Sequence, residues 1–173
     1  MRKRVITFMM LPAVLAAAIV SCDDDDPTGP SNIVYTATLS GANERPTPNS
    51  STATGTWTGT LNPTTNVMTY TLTYSGLSGN TSGGHIHAQA DANTSVGVVL
   101  NFATFAGATT AFTNGNTAGT AAGAVNMAGG TATGLTITGD SLRKAMDAGM
   151  AYVNVHSTPN FTGGEIRGQI HRQ

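Results

Sequence analysis

The chain holds a single cysteine, Cys22, among its 173 residues. One cysteine excludes a disulfide within the chain, and a lone thiol in an exported protein calls for another role. Charge is also scarce: 10% of residues are Asp, Glu, Lys or Arg, and the net charge is −1. A nucleic-acid-binding face needs clustered Lys and Arg, so no nucleic-acid partner is expected. Aromatic residues make up 6%, with Trp57 the only tryptophan. The apolar run from Val5 to Val20 is shorter than the roughly 20 residues of a comfortable membrane-spanning helix. There is no nucleophile elbow with a Ser/His/Asp order, no phosphate loop and no carboxylate pair at a working spacing. No catalytic residue is therefore assigned, and no enzyme activity is expected.

The charges that exist are unevenly placed. Arg2, Lys3 and Arg4 precede the apolar run, and Asp23 to Asp26 follow Cys22. Positive, apolar and small-residue regions in that order read as an export signal over residues 1–21. The sequence Ile19-Val20-Ser21-Cys22 is similar to a bacterial lipobox, although Val20 stands where a smaller residue is usual. Cys22 is then the lipidation site, and the protein is expected in the bacterial cell envelope, held to a membrane by a lipid anchor. Residues 22–31 read as an acidic flexible tether, because like charges repel and Pro27, Gly29 and Pro30 break regular structure. The Asp run lacks the glycine turn of a calcium loop. From Pro27 onward five basic residues (Arg45, Arg143, Lys144, Arg167, Arg172) face five acidic ones (Glu44, Asp91, Asp140, Asp147, Glu165).

Residues 32–173 read as one domain. Period-two alternation marks strands at Asn32 to Ser40, Ser51 to Leu61 and Val67 to Leu77. Thr54, Thr56, Thr58 and Thr60 share one face of the second strand; Gly55, Trp57, Gly59 and Leu61 share the other. Trp57 between two glycines is expected to lie across a close strand neighbour in the core. Pro46 and Pro48 keep the segment Gly41 to Pro48 out of a central strand. Further strands are expected at Gly83 to Ala88, Val96 to Phe102, Gly134 to Thr138, Ala151 to His156 and Glu165 to Ile170. Residues 103–130 are rich in Ala, Thr, Gly and Asn and predict short strands and loops. Asp140 to Gly149 changes period and predicts one short helix, with Asp140 as its N-cap and Gly149 as its stop. The pattern gives an all-β fold: an antiparallel Greek-key sandwich or barrel with one short helix near the C-terminus.

The candidate site is histidine. His85 and His87 stand at i and i+2 behind Gly83 and Gly84, so on a strand they share a face, roughly 6.5–7 Å apart along the chain. His156 lies in a second strand. Two readings stay open. Three neutral imidazoles suit copper or zinc, with a fourth position free, and binding would weaken below about pH 6.5 as the rings protonate. Alternatively the histidines are packed polar residues, hydrogen-bonded to the backbone or to Glu165. Glu44, Glu165 and Arg167 are candidates for a buried ion pair.

Several phrases in fixed order resemble the CHRD domain, a module named after chordin and found in bacterial exported proteins. They are Leu39 to Pro46, Ala53 to Thr56 with Leu61 to Pro63, Tyr70 to Leu77, His85 to His87, Tyr152 to His156, and Gly164 to Ile170. Arg45 stands where an apolar residue is usual, and Ser157 where Thr is common. The resemblance covers about Asn32 to His171. It implies an immunoglobulin-like or superoxide-dismutase-like β-barrel and carries no established activity, so a non-enzymatic binding or structural module is expected. A fainter resemblance is to copper/zinc superoxide dismutase, whose Gly-x-His-x-His strand and later Val-Val-His strand match His85, His87 and His156. The bridging histidine, the His-rich zinc loop and the disulfide cysteines have no counterpart here. That resemblance implies at most a mononuclear three-histidine copper site.

Overall fold

The structure is a computed structural model and describes residues 29–130 and 134–173. The proposed export signal, Cys22 and most of the tether lie outside the described residues. Among the described residues, no helix is long and apolar enough to cross a membrane.

The alternating stretches form strands: β1 (Ile33–Ser40), β2 (Thr54–Asn62) and β3 (Val67–Ser75). They pair antiparallel in a register that stacks Ala37 beside Trp57 and Trp57 beside Leu72. The β2–β3 turn is made by asparagines. Asn62 Oδ1 accepts from the N–H groups of Thr64 and Thr65, and Asn66 takes a left-handed φ of 55°. Both are ordinary uses of Asn in a turn. The remaining strands are β4 (Asn80–Ala88), β5 (Val98–Asn101), β6 (Ala108–Thr110), β7 (Gly119–Asn126), β8 (Ala151–Thr158), β9 (Phe161–Gln169) and β10 (His171–Arg172). They form one curled antiparallel sheet in the order β5-β4-β8-β9-β1-β2-β3-β7-β6, with β10 added to β1. The expected all-β class is the observed one.

The core lies within the curl. Trp57, Leu61, Leu72, Ile86, Val153, Val155 and Ile166 are all within 1% of complete burial and belong to one cluster. The Trp57 indole lies over Gly59, where a Cβ would fall on its ring. Helix α1 (Gly139–Asp147) adds Leu142, Ala145 and Met146.

Three local expectations are corrected. The helix N-cap is Thr138, not Asp140: its Oγ1 accepts from Ser141 N–H at 3.1 Å, and Asp140 lies in the first turn. Gly134 to Thr138 is not a strand. It makes a single bridge, Leu135 to Leu100, and then turns to start the helix. The strands expected to stop at His156 and to start at Glu165 extend toward each other, to Thr158 and from Phe161, so that a tight hairpin joins β8 and β9.

Candidate metal centre

Strands β4 and β8 pair antiparallel, setting Gly83 opposite His156, His85 opposite Asn154, and His87 opposite Tyr152. The two glycines ahead of the histidines serve opposite faces. A Cβ on Gly84 would collide with the Phe112 ring in the core, whereas a Cβ on Gly83 would fall 3.0 Å from the His85 ring. The missing side chain at Gly83 lets the His85 ring lie back toward His156 on the face away from the core.

That face is partly covered, with His85 and His156 half-buried. Segment 89–97 folds over it, and His87, Tyr152, Asn154 and Arg167 are buried there. The three sequence-selected histidines come together, with one ligand atom from each lying within 4.8 Å of the others. His87 Nδ1 lies 2.7 Å from the Val96 carbonyl, and His156 Nδ1 lies 3.0 Å from the Thr162 carbonyl. A carbonyl only accepts, so both Nδ1 atoms carry the proton and both Nε2 atoms offer a lone pair. His85 Nδ1 lies 3.0 Å from His156 Nε2 and donates to it. His87 Nε2 faces the Asn154 side-chain amide at 3.1 Å. The facing atom is Asn154 Oδ1, so a neutral ring protonated at Nδ1 requires the amide to turn and present its NH2 to Nε2. No histidine in the cluster bonds to Glu165; the backbone supplies the partners.

Burial lowers the pKa of all three. His85 is pushed down to about 4, first by burial, then by repulsion from His156 and His87. His87 is lowered by burial against the opposing pull of its bonds to Val96 and Asn154, and His156 by burial against its bond to Thr162. At neutral pH the cluster is three uncharged imidazoles, the form that binds metal. The donor set therefore fits a transition-metal ion. Bonds of about 2.0–2.1 Å need ligand nitrogens roughly 3.3 Å apart. The 3.0 Å between His85 Nδ1 and His156 Nε2 is close to that spacing; an ion there replaces the proton between them, with His85 carrying its proton on Nε2, and His87 joins by leaving Asn154.

A model of the CHRD domain family matches residues 35–170. The chain belongs to the CHRD domain family. No curated protein matches the chain. The CHRD match runs from the buried Tyr35 of β1 to the buried Ile170 after β9 and includes all three histidines.

Within the CHRD domain, the sequence did not single out Tyr152 and Asn154 beside the cluster. Tyr152 stacks on His87 with centroids 4.5 Å apart and rings 4° from parallel, and the Arg167 guanidinium carbon sits 3.5 Å from the Tyr152 centroid. The usable signal was the alternation of β8 and β9, which puts Tyr152, Asn154 and His156 on one face and Glu165, Arg167 and Gln169 beside them.

The expected ion pair among Glu44, Glu165 and Arg167 does not form: among the described residues, no carboxylate lies within 4.0 Å of Arg167. Glu165 is fully buried and takes its hydrogen bonds from the Ser51 and Ser157 hydroxyls and the Ser78 N–H. Burial alone would raise its pKa, but these bonds hold it below the ordinary value.

Glu44 has the opposite fate. It is 4% exposed, its Oε1 has no partner among the described residues, and burial pushes its pKa up to about 7 against the pull of Arg167 and Arg45. Between pH 4.5 and 7 the folded chain holds a proton that the unfolded chain releases, so stability falls as pH rises through that window. The shift corresponds to about 3 kcal/mol. Glu44→Gln should therefore gain stability relative to wild type on going from pH 5 to pH 8, by up to that amount. Urea denaturation at the two pH values checks it; a constant difference between the proteins would contradict it.

Proposed function

We propose that this chain is a lipoprotein of the bacterial cell envelope, anchored through Cys22, whose CHRD domain is a non-enzymatic binding module for a transition-metal ion held by His85, His87 and His156. The observation that carries the metal reading is the second layer of contacts. Two of the three imidazoles spend Nδ1–H on fixed backbone carbonyls, the arrangement by which metal-binding histidines are oriented and made more basic. Packing alone asks only that the ring nitrogens find some partner.

Copper is the favoured ion. Three imidazoles with no carboxylate or thiolate suit Cu(II), which leads the divalent affinity order. Bound copper would supply a redox-active centre. The residues around it have separate tasks: Val96 and Thr162 fix two rings, Gly83 makes room for the third, and Asn154 yields His87 Nε2. Metal would replace two hydrogen bonds, the one at that atom and the one between His85 Nδ1 and His156 Nε2, and His85 would move its proton to Nε2.

The test is metal content. Full-length protein from its native envelope should carry copper in proportion to chain, and the His85→Ala/His156→Ala variant should carry almost none; equal content in both would overturn the metal reading. The anchoring reading is separate. Cys22→Ala should leave the chain unlipidated and move it from the membrane to the soluble fraction. Unchanged partition of that variant would refute anchoring at Cys22.

A further inference from the structure

Arg167 is 1% exposed. A buried charge without an opposite partner is costly, and its nearest bonds go to neutral groups. Nη2 donates to the carbonyls of Asp91 and Thr94 at 3.0 and 2.9 Å, and Nη1 reaches Ser95 Oγ at 3.4 Å. A cavity beside it, about 340 Å³, opens between β1, β9 and segment 91–95. Its wall includes a second guanidinium, Arg45, together with His171, Asn43, Gln169 and Gln173, and no Asp or Glu lines it. Arg45 spends Nη1 on the carbonyls of Ala42 and Glu44. Each guanidinium has five N–H donors, so both keep donors that bond no protein group among the described residues.

We propose that this cavity binds a small oxyanion, a carboxylate or a phosphate, between the guanidinium groups of Arg45 and Arg167. Planar guanidinium forks match both anions in a two-pronged geometry. Asn43 Nδ2 spends one N–H on the Thr38 carbonyl and keeps a second for the cavity, whereas Gln169 and Gln173 spend theirs on Ala90, Gly149, Thr36 and His171 and frame the wall without donating. Burial lowers the Arg167 pKa, with repulsion from Arg45 adding to it and Tyr152, Glu44 and Asp91 pulling the other way. An anion between the two guanidinium groups offsets that repulsion. Glu44 pulls on both guanidinium groups, but its side chain does not line this cavity; it lines a neighbouring groove that Arg45 shares. The site is separate from the histidine cluster. The two are neighbours: Tyr152 stacks on both His87 and Arg167, and Asn154, which faces His87, stands opposite Arg167 in the β8–β9 register.

The probes are inorganic phosphate and acetate, each titrated into the full-length protein at fixed ionic strength. Saturable binding of at least one is expected, with shifts in the guanidinium N–H resonances of Arg45 and Arg167. Phosphate alone would identify a phosphate-type ligand, and acetate alone a carboxylate. Arg45→Gln should weaken that binding tenfold or more without changing copper binding, and Arg45→Lys, which keeps the charge but loses the fork, should weaken it less. Arg167 is left intact because it also holds segment 91–95. No saturable binding of either anion would overturn the proposal. So would binding that Arg45→Gln leaves unchanged, or saturation that leaves both guanidinium resonances in place.

Discussion

His87→Ala should weaken copper binding by roughly a hundredfold or more, since loss of a mere outer contact to a ligand already costs about 10–100-fold. His171→Ala is the control, because His171 is exposed on β10 and outside the cluster. It should change the affinity by less than about twofold, as expected for a surface group remote from the site. Calorimetric titration of Cu(II) into the full-length proteins measures both. Equal, weak binding by all three proteins would leave only a packing role for His87. The pH dependence differs from that of free imidazole. Burial and mutual repulsion hold His85 down to about 4, so protons compete with the metal at lower pH than the 6.5 expected from an unperturbed ring. His87 and His156 are shifted in the same direction. Affinity should therefore hold as pH falls through 6.5. A bound ion also stabilises the fold, by about 4 kcal/mol at a thousand times Kd, and the rise in melting temperature should be lost in His87→Ala.

Trp57→Ala should destabilise the domain by about 3–5 kcal/mol. The indole is 1% exposed and sits between Ala37 of β1 and Leu72 of β3. Its removal leaves a hole in the middle of the sheet's inner face, where Gly55 and Gly59 have no side chains to refill it. Trp57 Nε1 has no hydrogen-bond partner among the described residues, so the loss is one of packing. Trp57→Phe should consequently cost much less than Trp57→Ala, because it removes an unsatisfied buried N–H along with part of the ring. Urea denaturation gives both values. Similar stability of Trp57→Ala and wild type, or a native emission maximum like that of tryptophan in water, would contradict the burial argument.

The elements that were legible in the sequence are those in which a period-two pattern meets a one-sided core. Thr54 through Leu61 alternates strictly, and its small and apolar positions are the buried ones. The same rule placed His85 and His87 on one face, and His156 joined them through the β4–β8 pairing. What was hidden depends on contacts between distant segments. The carbonyls of Val96 and Thr162 carry no side-chain signature, yet they orient two of the three imidazoles. Glu165 and Arg167 were expected to neutralise each other. Three serines from separate segments satisfy Glu165 instead, while Arg167 turns to loop carbonyls and the Tyr152 ring. Serine is common enough in loops that no spacing announced those contacts. The segment Gly134 to Thr138 has a strand-like composition, but Thr138 is needed to cap α1, and the chain turns there.

The most direct test of the metal centre is the electron paramagnetic resonance spectrum of full-length protein loaded with one equivalent of Cu(II). The account predicts a single species whose nitrogen couplings come from three imidazoles, with one coupling lost in His87→Ala and none lost in His171→Ala. A spectrum of several weakly bound species, unchanged when His87 is replaced, would contradict it.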